Sequence, residues 1–347
     1  MSSVRATRRV AAAALAVAAL TSCSDTASGR LLVTSGFTDQ IFVLHAGSGR
    51  VLDSLNLDRR PGERDEPHGI EVSRDGRYFY ATLAHGEPSL WKYEVDGLRL
   101  VGRVTLPTNG ASRVRLSPDG RVAAVPDYWL SGGGEVSRVV FVRTHDLEIL
   151  ATPEVCAAPH DATFSEDGRW IAVPCTLSDE VVLLDGSDFT ERERYSVADL
   201  GEPGRTQARP LNAAWTSPSE FVVTLQGTGG LAMLDVAAGV TGFGFAADRP
   251  AQVTVSQTTG TLAMANRGEG TVTISHEGSP ERKVSIGAAH PHGVTFGHDA
   301  NIVYVSFEGD TESLGGVVAI DMATGEVLWR SEVGVFTLGV AYLPGAR

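Results

Sequence analysis

Apolar and polar positions alternate along most of this chain in runs of five or six, and the runs recur in sets. Around Pro67 the sequence reads PHGIEVSRDGRYFYATL, around Pro159 PHDATFSEDGRWIAVPC, and around Pro291 PHGVTFGHDANIVYVSF. Each copy joins a Pro-His pair, a β-rich run, an acidic or glycine-bearing turn and a second β-rich run. Weaker copies begin at Ala111 (ASRVRLSPDGRVAAVPD), Pro210 (PLNAAWTSPSEFVVTLQ) and Pro250 (PAQVTVSQTTGTLAMAN). No segment after the first two dozen residues sustains a 3.6-residue period with caps, so no helix is expected there.

The six starts are separated by 44, 48, 51, 40 and 41 residues, the period of four-stranded propeller blades. Within a unit the first two runs are joined by turns such as Ser117-Pro118-Asp119-Gly120, where Pro and Gly supply fixed or positive φ. A third run ends in Asp, as at Asp185 and Asp321, and a fourth closes the unit, as at Glu326–Trp329. Two fragments remain. Residues 30–57 supply runs two, three and four, and residues 337–343 supply a lone first run. Joined, they make a seventh blade and close the ring by pairing the chain's start with its end, which removes an open sheet edge. The expected fold is therefore all-β: a seven-bladed β-propeller of four-stranded blades. A flat sandwich explains neither the repeat nor the complementary ends.

The units resemble the YVTN family of propeller repeats. The resemblance rests on the Pro-x-Gly starts, the Ser-Pro-Asp-Gly-like turns, and second strands such as Tyr80-Ala81-Thr82-Leu83, Tyr304-Val305-Ser306-Phe307 and Leu32-Val33-Thr34-Ser35, and it covers residues 30–343. Similar propellers serve cell-surface proteins, the haem d1 domain of nitrite reductases, the copper-bearing propeller of nitrous oxide reductase and lactonases of the 6-phosphogluconolactonase type. The resemblance implies a fold and does not select among these activities.

The chain opens MSSVRATRRVAAAALAVAALTSC. Arg5, Arg8 and Arg9 precede an apolar stretch, Val10–Leu20, too short to span a bilayer, which reads as a signal peptide over residues 1–22. Leu20-Thr21-Ser22-Cys23 resembles the lipobox of bacterial lipoproteins, which implies acylation at Cys23, a tether over 23–29 and a propeller over 30–347. Ordinary secretion is the alternative. Lipidation places the protein in the bacterial cell envelope, held to a membrane through Cys23 and facing the periplasm or the exterior. Ser24, rather than Asp, follows the cysteine, which by analogy favours the outer membrane.

The full chain carries 29 basic and 42 acidic residues. The three leader arginines have no acidic counterparts, so the segment from Cys23 has a formal charge of −16. That argues against nucleic acid and against electrostatic docking on anionic lipid. Cys156 and Cys175 remain for an extracytoplasmic disulfide. A hairpin turning at Glu166–Arg169 sets residue 175 opposite residue 160, and strict extension then leaves Cys156 too distant to bond. A bend at Ala157-Ala158-Pro159 would shorten the gap, so a disulfide and two buried thiols both stand.

First strands line a propeller's channel. Aligned at the proline, the next position holds His68, Ser112, His160, Leu211, Ala251, His292 and Leu338, and the one after holds Gly69, Arg113, Asp161, Asn212, Gln252, Gly293 and Gly339. One mouth is thus expected to carry His68, His160 and His292, with Arg113, Asp161, Asn212 and Gln252 as further ligand-binding groups and His290 nearby. Imidazole is a ligand for Zn, Cu, Fe and Ni. The three histidines come from separated blades, so the sequence leaves three roles open: a transition-metal site with copper as the leading ion, a polar mouth without metal, or structural bonding between blades. Any haem would be noncovalent, because no Cys-x-x-Cys-His is present.

Three functions follow. The first is an exported, lipid-anchored propeller binding a ligand at its His-ringed mouth. The second is a lactonase-like hydrolase, whose resemblance lies in Pro159–Arg169 and Val125-Pro126-Asp127. The third is a protein-interaction scaffold using the Tyr128–Arg138 loop. A closed ring needs no partner to fold, so a monomer is expected.

Overall fold

The computed structural model describes residues 29–345, apart from 202, 203, 205, 206, 277, 311 and 312. The leader, Cys23 and most of the tether lie outside the described residues. Seven antiparallel sheets stand around a channel, each with its first strand innermost. Blade 1 orders Thr337–Leu343, Arg30–Ser35, Gln40–His45 and Val51–Asn56, so the two chain ends do complete one blade. Blades 2 and 3 start at Pro67 and Ala111. Blades 4, 5, 6 and 7 start at Pro159, Pro210, Pro250 and Pro291. Blade 3 carries a further strand, Glu154–Ala157, paired with Val136–Arg138. The only helical turns among the described residues are Asp96–Leu98 and Leu130–Gly132.

The apolar alternation builds the core between blades rather than within them. Leu32, Ile41 and Val43 of blade 1 meet Phe79, Ala81 and Trp91 of blade 2, and the same layering recurs around the ring. Outermost strands such as Val51–Asn56 and Val327–Glu332 are largely exposed, as their polar composition requires.

Three repeated backbone features shape the channel mouth. First, all seven innermost strands carry one extra residue directly after their start. Pro67 faces Leu83, but Ile70 faces Ala81, and the same shift follows Ala111, Pro159, Pro210, Pro250, Pro291 and Thr337. Such bulges re-aim side chains, and here they act on the two positions that ring the mouth. Second, in six blades the residue before the start is left-handed: Glu66, Ala158, Arg209, Arg249, His290 and Phe336, at φ between 47° and 58°. Third, that residue's carbonyl accepts an N–H from the residue after the second strand in every blade, as in Ala84 to Glu66, Tyr128 to Gly110 and Glu308 to His290.

A hydroxyl belt then ties blade to blade. Thr82 Oγ1 accepts from Gly69 N at 2.8 Å and donates to Ser112 O of the next blade. Thr34, Thr224 and Ser306 repeat this toward His68 O, Ala251 O and Leu338 O. Gly69 is glycine because blade 3 leaves no room: a Cβ there would lie 2.7 Å from Arg113 Cα and Ser112 O. Gly69→Ala is expected to cost about 1–3 kcal/mol, the usual penalty of overpacking, read as a shifted denaturant midpoint at unchanged m-value.

The structure answers the question left by the cysteines. Cys156 and Cys175 form a disulfide with Cα atoms 5.8 Å apart. Ala158, at φ 51°, provides the bend. The bulge also corrects the expected register: Cys175 faces Pro159, not His160. The two cysteines are 19 positions apart, so a Cys156→Ser/Cys175→Ser variant is expected to lose about 3 kcal/mol by the loop-closure relation. Denaturant titration of the oxidised protein and the variant checks this.

Candidate functional site

The bulged starts of blades 2, 4 and 7 bring His68, His160 and His292 together. One nitrogen of each lies within 4.8 Å of the others. The ring of His68 stands edge-on to both partners, with centroids 5.7 Å from His160 and 6.1 Å from His292. Sequence spacing could not establish this convergence, because it depends on the channel radius and on the bulge.

Hydrogen bonds assign the protons. His160 Nδ1 lies 3.1 Å from Leu211 O. A carbonyl only accepts, so Nδ1 carries the hydrogen and Nε2 keeps its lone pair. His68 Nδ1 lies 3.4 Å from Glu66 Oε1, to which it donates, and its Nε2 is buried without a partner. His292 Nδ1 is also buried and unpartnered, 3.8 Å from the Glu308 carboxylate and too far to bond. Two orphaned imidazole nitrogens in one buried cluster are costly unless something binds them. Burial first, then the neighbouring imidazoles, push His160 well below the usual histidine range, and burial with His68 and Arg267 does the same to His292. Both are held neutral at pH 7, the form that ligates a metal.

Carboxylates support the cluster. Burial alone would raise Glu66, but hydrogen bonds from His68 and His85 outweigh it and hold the carboxyl at about 2. Glu308 accepts two hydrogen bonds from Arg267, at 2.7 and 2.6 Å. A carboxylate behind an imidazole fixes the tautomer and strengthens the ligand. Tyr128 sets its ring edge-on to His160, with centroids 4.6 Å apart, and burial raises its phenol.

The expected ligand-binding groups lie one layer deeper. Asp161 is fully buried. It accepts from Arg115 Nε and Nη2 at 2.9 and 3.0 Å, from Asn212 Nδ2 and from its neighbour Ala162 N. Asn212 Oδ1 accepts from Val253 N at 2.7 Å. Asp161 and Asn212 thus spend their polar atoms on each other and on the strands, forming a plug across the channel. Gln252 is buried at the same register in blade 6. Arg113 differs: its Nε is buried without a partner, 3.8 Å from Asp161, and burial with repulsion from Arg115 lowers it to about 10. Arg115 also lines a cavity of about 370 Å³ at the far end of the innermost strands, with Glu71, Ser165 and Gln257.

His290 is not in the trio; its Nδ1 donates to Gly309 O at 3.1 Å. Arg267 and Glu308 escaped the sequence reading. They occupy one further repeat position, directly after the second strand, which alignment on the Pro-His step passes over.

No protein family and no curated protein sequence matches this chain. Solved structures do, and they place it among the β-propellers. A functionally unknown protein from Desulfotomaculum acetoxidans is 12% identical over 92% of this chain and 100% of its own, with a TM-score of 0.73. The periplasmic gluconolactonase PpgL of Pseudomonas aeruginosa is 17% identical over 92% and 99%, at 0.71. The dihydro-heme d1 dehydrogenase NirN is 14% identical over 95% and 78%, at 0.59. At these identities the likeness is one of fold.

Proposed function

We propose that this protein is an exported β-propeller that binds a transition metal, copper first, through His68, His160 and His292 at one channel mouth. The observation that carries the reading is the buried trio itself: one nitrogen of each ring lies close to the others, two rings each keep an unpartnered buried nitrogen, and two rings are held neutral. Nitrogens sharing an ion at about 2.0–2.1 Å sit about 3.4 Å apart in tetrahedral geometry, so modest ring rotation completes the set. Imidazoles suit copper and zinc, and the Irving–Williams order favours Cu²⁺. Three protein nitrogens leave coordination positions for an exchangeable ligand.

An envelope location fits this role. The leader and the lipobox-like Leu20–Cys23 argue for export with an anchor at Cys23, the disulfide suits an oxidising compartment, and PpgL is itself described as periplasmic. The test is a titration of residues 24–347 with Cu²⁺ after chelation and desalting, followed by elemental mass spectrometry and electron paramagnetic resonance. One copper per chain with nitrogen hyperfine structure supports the reading. Copper that washes away on desalting sinks it.

A second reading has its own observation. Arg113, which follows the histidine position by one residue in blade 3, keeps a buried Nε without a hydrogen bond, 3.8 Å from Asp161, and a guanidinium beside imidazoles is a pairing able to polarise a lactone carbonyl and activate water. Hydrolysis of glucono-1,5-lactone by metal-free protein, lost in Arg113→Met, would favour it over metal binding.

A further inference from the structure

The chain enters the propeller at the end of the channel opposite the histidines. Innermost strands run from the His-bearing mouth to the far end. Arg30 pairs with Leu343, the last residue of one of them, and Ser35 pairs with Thr337, the first. Gly29 is buried at that far end, its carbonyl accepting from Ala46 N at 3.1 Å. Six residue steps separate Gly29 from Cys23, a reach of about 20 Å at most. Arg30–Ser35 itself spans about 17 Å toward the mouth. A tether turned back along blade 1 would spend nearly all its length reaching the level of the mouth. An anchor at Cys23 therefore holds the far end, not the mouth, against a bilayer.

The same end carries an apolar rim. Outermost strands run from the far end toward the mouth, and in blades 1, 2 and 7 they open with Val51-Leu52, Leu100-Val101 and Val327-Leu328. All six side chains are between 38% and 48% exposed, and Leu150 continues the row in blade 3. Toward the mouth these strands turn polar, ending in Asn56, Thr105 and Glu332. Across the ring the pattern breaks. The equivalent position holds Glu191-Arg192 in blade 4 and Arg282-Lys283 in blade 6, with a single exposed aliphatic, Val240, in blade 5. Exposed aliphatic pairs are thus gathered on the blade where the tether leaves and on its two neighbours. A contiguous apolar arc of this kind marks a contact surface.

We infer that the far-end rim of blades 7, 1 and 2 rests on the lipid bilayer and points the His mouth away from it. The inference rests on the anchor proposed at Cys23 and does not involve the metal. Aliphatic side chains seat in the headgroup boundary by burying apolar area. With a formal charge of −16 on the chain from Cys23, that burial, rather than attraction to anionic lipid, supplies the contact.

Acylated, metal-free protein in phosphatidylcholine vesicles tests the orientation. Of the three cysteines, one is acylated and two are disulfide-bonded, so a single introduced cysteine carries a bimane label without competition. Leu52→Cys and Leu328→Cys report on the rim, Arg192→Cys on the opposite side of the ring and Val136→Cys on the mouth loop. Doxyl-labelled lipid is expected to quench the first two at least fivefold more than the last two. Leu328→Asp should cut quenching at Leu52→Cys at least twofold and leave the unfolding midpoint unchanged, since both positions are exposed. Four labels quenched alike, stronger quenching at position 136, or indifference to Leu328→Asp would overturn the orientation and leave the anchor standing. A mass spectrum showing Cys23 without acyl chains would overturn anchor and orientation together.

Discussion

A His68→Ala/His160→Ala/His292→Ala variant is expected to retain less than a tenth of an equivalent of copper, against about one for the parent protein. Each single replacement should weaken binding by at least tenfold, because each removes one of three nitrogens that sit within 4.8 Å of one another. Stability provides the sharper readout. Without metal the trio supports the fold through His160 Nδ1 to Leu211 O and His68 Nδ1 to Glu66, while His68 Nε2 and His292 Nδ1 stay buried and unbonded. The metal-free variant should therefore unfold somewhat more easily than the metal-free parent, and metal should leave it unchanged. With metal at a hundred times its dissociation constant, the parent alone gains about 2.7 kcal/mol by mass action. A parent that gains no stability with metal would mark the histidines as structural pegs between blades. Differential scanning calorimetry with and without Cu²⁺ distinguishes the two.

Asp161→Ala is expected to have the largest effect on the fold, about 3–5 kcal/mol, the usual cost of breaking a buried ion pair from one side. The carboxylate is fully buried and answers Arg115 through two hydrogen bonds, with Arg113 close by. Removing it strands two guanidinia inside the channel and leaves Asn212 Nδ2 without its acceptor. Asp161→Ala/Arg115→Met should recover a large part of the loss, since the second change removes one stranded charge. Urea titrations of the two variants give the comparison. If the single variant is as stable as the parent, the plug carries no charge-pairing energy.

Much of this architecture is legible before any coordinates. The Pro-His starts at 67, 159 and 291 place three imidazoles at one repeat position, and the lone run at 337–343 shows how the ring closes. The rest depends on quantities a string of residues does not carry. Convergence of the trio needs the channel radius and the extra residue in each innermost strand, and that residue is invisible in a repeat where every copy contains it. The same bulge moved Cys175 from opposite His160 to opposite Pro159. Asp161 and Asn212 were grouped with the mouth because they follow the histidine position; one step along a bulged strand turns them into the plug below it. The Arg267–Glu308 pair beside His292 is not legible because it falls after the aligned segment.

Ring closure has a consequence for biosynthesis. Arg30–Ser35 needs Thr337–Leu343 as its inner neighbour, and that partner is made only after blades 2 to 7. While the intervening blades emerge from the ribosome, the inner edge of the first completed hairpin stays unpaired and open to other chains. Closure of blade 1 therefore waits for all six other blades. A stop codon shortly before residue 337 would therefore release six intact blades around a permanently unsealed edge, a product prone to aggregate rather than a slightly shorter propeller.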